Sequence, residues 1–221
     1  MRVEQLESMY KTRFQDKDEQ LRVIDHDEFL ELLNEAQSEA AIRSDLIYDS
    51  QSSFCTILVK QGISVYKLDH KIYGIPYAHI KDADGRSYKL QGLHRDDYAT
   101  VEPDYYSEVK RPKHYRHVGR FVDLINVPDQ DYTLKLESYR LPVPLVDELS
   151  VPEIEEIHQR GLLNWVLYRA YDLPDEDAAN PKKSADHYKL FVKQYGERPN
   201  AENHKDKFIS RPHVNRVSYI S

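Results

Sequence analysis

The stretch RFVDLINVPDQDYTLKLESY, residues 120–139, decides the fold class. Arg120–Ile125 and Tyr132–Tyr139 read as a pair of strands, joined by the turn-forming run Asn126-Val127-Pro128-Asp129-Gln130-Asp131. In the second strand Tyr132, Leu134 and Leu136 alternate with Thr133, Lys135 and Glu137, the signature of a half-buried antiparallel strand. Working towards the N-terminus, Thr56–Val59, Ile63–Leu68 and Tyr77–Ile80 are rich in β-branched and aromatic residues and read as further strands. Asp82-Ala83-Asp84-Gly85 supplies a turn before Tyr88 and Leu90 resume the alternation. Towards the C-terminus, Leu141-Pro142-Val143-Pro144 ends the sheet, because proline cannot donate to a ladder.

Helical periodicity brackets this region. Asp25 with Glu28 three residues on is a capping box, and Phe29, Leu33, Ala36, Ala40 and Ile47 form one apolar stripe. A weaker amphipathic stretch, Leu6 to Phe14, precedes it across the charged run Gln15–Gln20. After the sheet, Ser150-Val151-Pro152-Glu153 predicts a helix running to Tyr171 that buries Ile154, Ile157, Leu162, Trp165 and Tyr168. Asn180-Pro181 opens another, with Ala185, Tyr188, Val192 and Tyr195 on one side and Gly196 at its end. The expected fold class is therefore α+β: a helical layer built from N- and C-terminal helices, an inserted antiparallel β-sheet region, and an extended C-terminal tail. The expected divisions are residues 1–53, 54–149, 150–196 (helices packing on the N-terminal ones) and 197–221.

Composition narrows the function. The 221 residues carry 31 basic and 38 acidic side chains, and 17 Tyr, 6 Phe and 1 Trp give the material for a core that disordered chains lack. Residues 1–50 hold 6 basic and 13 acidic residues, so the acidic excess sits in the N-terminal helices. That balance argues against nucleic acid as the main partner, since phosphate binding needs basic surface. No apolar run is long enough to span a membrane and the first residues carry no secretory h-region, so no membrane partner and an origin in the cytoplasm are expected.

The search for catalytic chemistry is short. With 7 glycines there is neither a GxGxxG nor a GxxxxGK[ST] loop, and HExxH and GxSxG are missing too. Cys55 reads as a small apolar strand residue. His114 and His117 would point to opposite faces of a strand, among cations that repel a metal. Asp96-Asp97 and Asp175-Glu176-Asp177 read as solvated turns. No enzyme, no cofactor and no metal is expected. What remains is a basic loop, Lys110, Arg111, Lys113, Arg116 and Arg120, suited either to contact with a polyanion or acidic protein face or to plain solvation.

Three segments belong together: Asp27 to Ala40, with its Asn34-Glu35-Ala36-Gln37 core; Pro142 to Ile154 with His158 and Leu162 to Tyr171; and Ala185-Asp186-His187-Tyr188 to Phe191 and Gly196. Together they resemble the head-to-tail adaptor (connector) proteins of tailed bacteriophages. The resemblance implies a structural protein of the virion neck at the capsid portal vertex, made in the host cytoplasm. It implies a homo-oligomeric ring, commonly a dodecamer, docked on the portal protein and presenting a platform for a tail, nozzle or tailspike protein. Genomic DNA would pass through the channel without sequence-specific binding, past a lining whose like charge avoids tight contact. A binding or assembly module such as a tail-completion or host-interaction protein is the alternative, and a small hydrolase the third class.

The last segment carries five basic against three acidic residues and groups its apolar ones. Phe208, Ile209, Arg211, Val214, Arg216, Val217, Tyr219 and Ile220 are expected to form an arm that binds the portal or a neighbouring subunit by strand addition or groove insertion.

Overall fold

The computed structural model of the chain describes residues 1–14, 24–94, 104, 107–172, 180–200 and 207–208. Two helices, α1 (Val3–Arg13) and α2 (His26–Ser44), come first. The strands follow: β1 (Tyr48–Asp49), β2 (Thr56–Val59), β3 (Val65–Lys67), β4 (Ile72–Lys81), β5 (Ser87–Gly92), β6 (His114–Val118), β7 (Phe121–Ile125) and β8 (Tyr132–Arg140). Three helices, α3 (Glu156–Gln159), α4 (Leu162–Asp172) and α5 (Pro181–Tyr195), close the order. The fold is α+β, with helices before and after a central sheet. The chain divides into two compact units, one from Met1–Tyr48 with Arg140–Pro199, the other built on Asp49–Tyr139. The stretch Gln15–Gln20, the pair Asp96-Asp97 and the run Asp175-Glu176-Asp177 lie outside the described residues.

In the helical unit, the Asp25 carboxylate accepts the Glu28 backbone N–H at 2.9 Å and starts α2 as its sequence predicts. Phe29, Leu33, Ala36 and Ala40 are fully buried against Val166, Leu167 and Ala170 of α4 and Phe191 and Tyr195 of α5, in one core. Trp165 lies in that core, its ring 4.9 Å from Phe191 and 5.2 Å from Tyr168. The Arg43 guanidinium stands 5.3 Å from the centre of Phe191, 5.5 Å from Trp165 and 5.6 Å from Tyr188. This cation between aromatic faces also donates to Glu39 at 3.2 Å and to the Gly196 carbonyl at 3.1 Å, tying α2 to the end of α5.

Two helical expectations are corrected. The segment after Ser150 is not helical; α3 begins at Glu156 and α4 at Leu162. Both residues of the expected capping box are engaged elsewhere: the Ser150 hydroxyl donates to Asp147, and the Glu153 carboxylate binds Arg140 and the Val143 N–H. Ile157, expected in the core, is 76% exposed in consequence. In α5, which Asn180 caps as expected, the buried stripe is Ser184, Phe191 and Tyr195, with Tyr188 and Val192 half-buried and Ala185 exposed, so the face turned to the core lies one residue off the expected one at its start.

The sheet of the second unit runs β1-β8-β4-β5-β6-β7-β3, with β2 also paired to β8. It is mixed rather than antiparallel throughout, since β5 and β6 run parallel, Gln91 opposite His114. The twenty-odd residues between those strands are enough to return the chain to the same end of the sheet, which a hairpin turn cannot do. The strands read as a pair from residues 120–139 are not neighbours. β7 instead pairs with β6 through the two-residue turn Gly119-Arg120, with Val118 opposite Phe121. Asn126, at φ 80°, turns the chain away from β7 before β8 begins. Inside, Ala78, Ile80, Leu90, Val122, Leu124, Leu134 and Leu136 make the core, which Tyr115 closes by donating its hydroxyl to the Ile75 carbonyl at 2.8 Å. Burial pushes the Tyr115 phenol far up from its ordinary range, so it stays neutral there.

Candidate assembly surfaces

Of the basic residues, Lys110, Arg111 and Lys113 lie in the loop that leads into β6, Arg116 is on the strand beside the buried Tyr115, and Arg120 is at the hairpin tip. Three of these five cations have local partners. Lys110 meets Glu108 at 2.7 Å, Arg111 lies over the Tyr88 ring at 4.0 Å, and Arg116 donates to Asp123 at 2.8 Å across the β6–β7 ladder. Asp123 is buried, which raises its pKa, while the Arg116 charge and hydrogen bond pull it down. Lys113 and Arg120 are exposed. Register places Lys67 opposite Phe121, and Phe121 opposite Val118. Directly opposed residues share a face, so Lys67, Phe121 and Val118 form one outward patch beside Arg120 and the exposed Val65 of the terminal strand. His114 and His117 lie on β6, an odd number of positions apart and therefore on opposite faces.

Of the expected arm, Phe208 is described; Ile209, Arg211, Val214, Arg216, Val217, Tyr219 and Ile220 lie outside the described residues. Phe208 rests on its own unit, its ring 5.2 Å from Tyr139. A Cβ built on Gly74 would lie 2.5 Å from Phe208 Cε2, so the aromatic ring occupies the space a side chain would take near the start of β4. Beside it runs a groove of about 560 Å³ lined by Tyr77, Lys89, Gln91, Lys113, His114 and Phe208, whose charged groups are all cationic.

A second surface belongs to the helical unit and was missed in the sequence. Residues 143–157 carry five carboxylates and no basic residue. Val146, Leu149, Val151 and Ile157 project into solvent, Val146 and Ile157 each 76% exposed. The backbone beneath them is fixed. Asn34 donates to the Leu145 carbonyl at 3.0 Å and accepts the Leu145 N–H at 2.7 Å, while Gln37 donates to the Val143 carbonyl at 3.2 Å. Glu153 bridges Arg140, at 2.8 and 3.0 Å, and the Val143 N–H. Gln159 donates to the carbonyls of Pro152 and Ile154. The first free N–H groups of α1, on Val3 and Glu4, are satisfied by the carbonyls of Ser150 and Glu148. A rigid ridge with apolar tips and an acidic flank results. The signal was present in Asn34 and Gln37, polar residues on the buried side of α2, whose burial requires partners.

Helix α1 is itself braced by Glu7, which holds Lys11 at 2.6 Å and His26 at 2.7 Å. Burial raises the Glu7 carboxyl, but the hydrogen bonds from Lys11 and His26 outweigh it and leave it below the usual range. The same bond to Glu7 raises His26.

Cys55 is fully buried in a short 3₁₀ turn, Ser53–Cys55, its Sγ 3.5 Å from the Ser138 hydroxyl. Among the described residues no three His, Cys, Asp or Glu side chains converge as a metal site would need, and no helix is long and apolar enough to cross a membrane. The sequence profile described as SU10 adaptor protein matches residues 1–216, nearly the whole chain. The chain belongs to the SU10 adaptor family. No curated protein matches it. Members are phage head-to-tail adaptors, so the protein is a structural, non-enzymatic component of the virion that joins head and tail parts. The Asn34-Glu35-Ala36-Gln37 segment on which the resemblance began is, in this adaptor, the clamp that holds the acidic ridge.

Proposed function

We propose that this adaptor forms a closed homo-oligomeric ring, a dodecamer, at the neck of the virion beneath the portal. It extends the DNA channel there and presents a docking platform to a tail, nozzle or tailspike protein. The match to the adaptor family over residues 1–216 carries the reading. The ridge and the hairpin tip support it, because a ring component needs exposed surfaces through which to meet its neighbours. The arm from Phe208 through Ile209, Arg211, Val214, Arg216, Val217, Tyr219 and Ile220 reaches the portal or a neighbouring copy, with Phe208 as its root on the sheet. Lys110, Arg111, Lys113, Arg116 and Arg120 make the basic contact segment, in which Lys113 and Arg120 face outward. DNA passes without sequence-specific contact. Mixing the purified protein with portal and weighing single particles tests this: a mass gain of many adaptor copies per portal supports it, and portal of unchanged mass refutes it.

A further inference from the structure

We infer that neighbouring copies join head to tail, the acidic apolar ridge of one copy (Val146, Leu149, Ile157, Glu155, Glu156) docking on the basic apolar hairpin tip (Phe121, Val118, Lys67, Arg120) of the next. The inference rests on the ring reading above and names the surfaces that would build that ring.

Both surfaces are apolar at the centre and charged at the flank, the anatomy of a protein interface. Their signs are opposite. On the ridge the charged side chains of residues 143–157 are all carboxylates, with Glu153 paired to Arg140 and Glu156 beside Arg160; at the tip Lys110 and Arg116 are paired with Glu108 and Asp123, which leaves the exposed Lys67, Lys113 and Arg120 as its cations. Neither surface suits a twofold contact with the same surface of another copy, because like charges would face each other across the axis. Each surface does suit the other. Both are carried by every copy; used once per pair, the contact is heterologous and propagates into a ring or a filament, as the ring reading requires, whereas two reciprocal contacts would close a dimer.

The two surfaces are also prepared for docking. The ridge backbone is held by Asn34, Gln37 and Glu153. The tip stands on the Arg116–Asp123 pair and the closed turn between Val118 and Phe121. Little ordering remains to oppose association, which is how rigid surfaces gain affinity. Phe121 is 46% exposed, an aromatic of the type that anchors interfaces. A groove on the portal or on a tail protein could also take the ridge. The match of sign and apolar content with a second surface of the same chain favours another copy.

Charge reversal tests the pairing in full-length protein assembled on portal, read as adaptor copies per portal by single-particle mass. Glu155→Lys with Glu156→Lys, and separately Lys67→Glu with Arg120→Glu, are each expected to lower ring yield about tenfold or more, roughly the effect of 1.4 kcal/mol per contact. All four changes in one chain restore complementarity between copies and should bring the yield back to within about threefold of the parent. Single-surface variants that assemble normally, or a fourfold variant no better than either, would overturn the inference while leaving the ring intact. A parent protein that forms no oligomer on portal overturns both readings.

Disulfide trapping is independent of charge. In assembled rings, Ile157→Cys with Phe121→Cys in one chain should give a ladder of linked chains on oxidation, with each single variant remaining unlinked. Cys55 is buried and takes no part. Rings without a ladder, or single variants that form dimers, would contradict the head-to-tail contact.

Discussion

Asn34→Ala removes the clamp that joins the long N-terminal helix to the acidic ridge. Three hydrogen bonds meet at this side chain: the Leu145 N–H at 2.7 Å, the Leu145 carbonyl at 3.0 Å, and the Gln37 amide at 2.9 Å. Each bond of this kind contributes about 1 kcal/mol net, and the stranded polar groups of a partly buried backbone keep the total from falling below the sum. The expected loss is about 3 kcal/mol. At 1.4 kcal/mol per decade, local opening at Leu145 becomes about a hundredfold more frequent. Hydrogen exchange reads this directly: the Leu145 amide should exchange about a hundredfold faster, while amides in the middle of α4 hold their rate. Asn34→Asp separates the parts of the clamp, because it keeps an acceptor for the Leu145 N–H but sets a carboxylate against the Leu145 carbonyl. It should be at least as damaging as alanine. Unchanged exchange at Leu145 in the alanine variant would refute the clamp.

Trp165→Ala should cost about 3–5 kcal/mol through the cavity left in the helical core. Trp165→Phe should cost far less in urea unfolding, because among the described residues nothing accepts from the indole N–H. Stability of the helical unit should depend on pH through Glu7 and His26. Protonated His26 is favoured by the folded state, so its contribution is complete below about pH 6.5 and is lost as pH rises through the raised folded value. Glu7 is lowered on folding, so its contribution is present above the ordinary carboxylate range and is lost as pH falls through the folded value. His26→Gln should flatten the alkaline side of that profile, and an unflattened profile would contradict the pairing. Gly74→Ala should displace the Phe208 ring and leave the sheet folded, so trypsin should cut after Lys207 faster than in the parent, with circular dichroism unchanged.

The sequence carried the elements better than their neighbours. The Asp25 cap, the Phe29–Leu33–Ala36–Ala40 stripe, the Asn180-Pro181 start and the Tyr132–Leu134–Leu136 alternation are local signals, and each stands in the structure where its residues put it. Strand order is not local. The parallel course of β6 beside β5 follows a connection of about twenty residues, and β7 parts from β8 across only six, because β7 takes β6 and β3 as partners; no spacing rule encodes either choice. The helix expected from Ser150 failed for a related reason. Its capping pattern was real, but Arg140, ten residues or more away, took the glutamate. The ridge was hidden by the same error, since Ile157 at helical spacing looked like core and proved to be surface. Arg43 was equally silent, because an arginine among aromatics reads as solvated until the rings that face it, from three other turns of helix, are brought together.

Imaging the neck of intact particles by single-particle cryo-electron microscopy tests the central claim most directly. The account predicts a ring of this adaptor between portal and tail, with residues 143–157 of each copy against residues 118–121 of the next and DNA density along the axis. A neck in which the chain is missing from the portal vertex, or present there as isolated copies that do not touch, would contradict it.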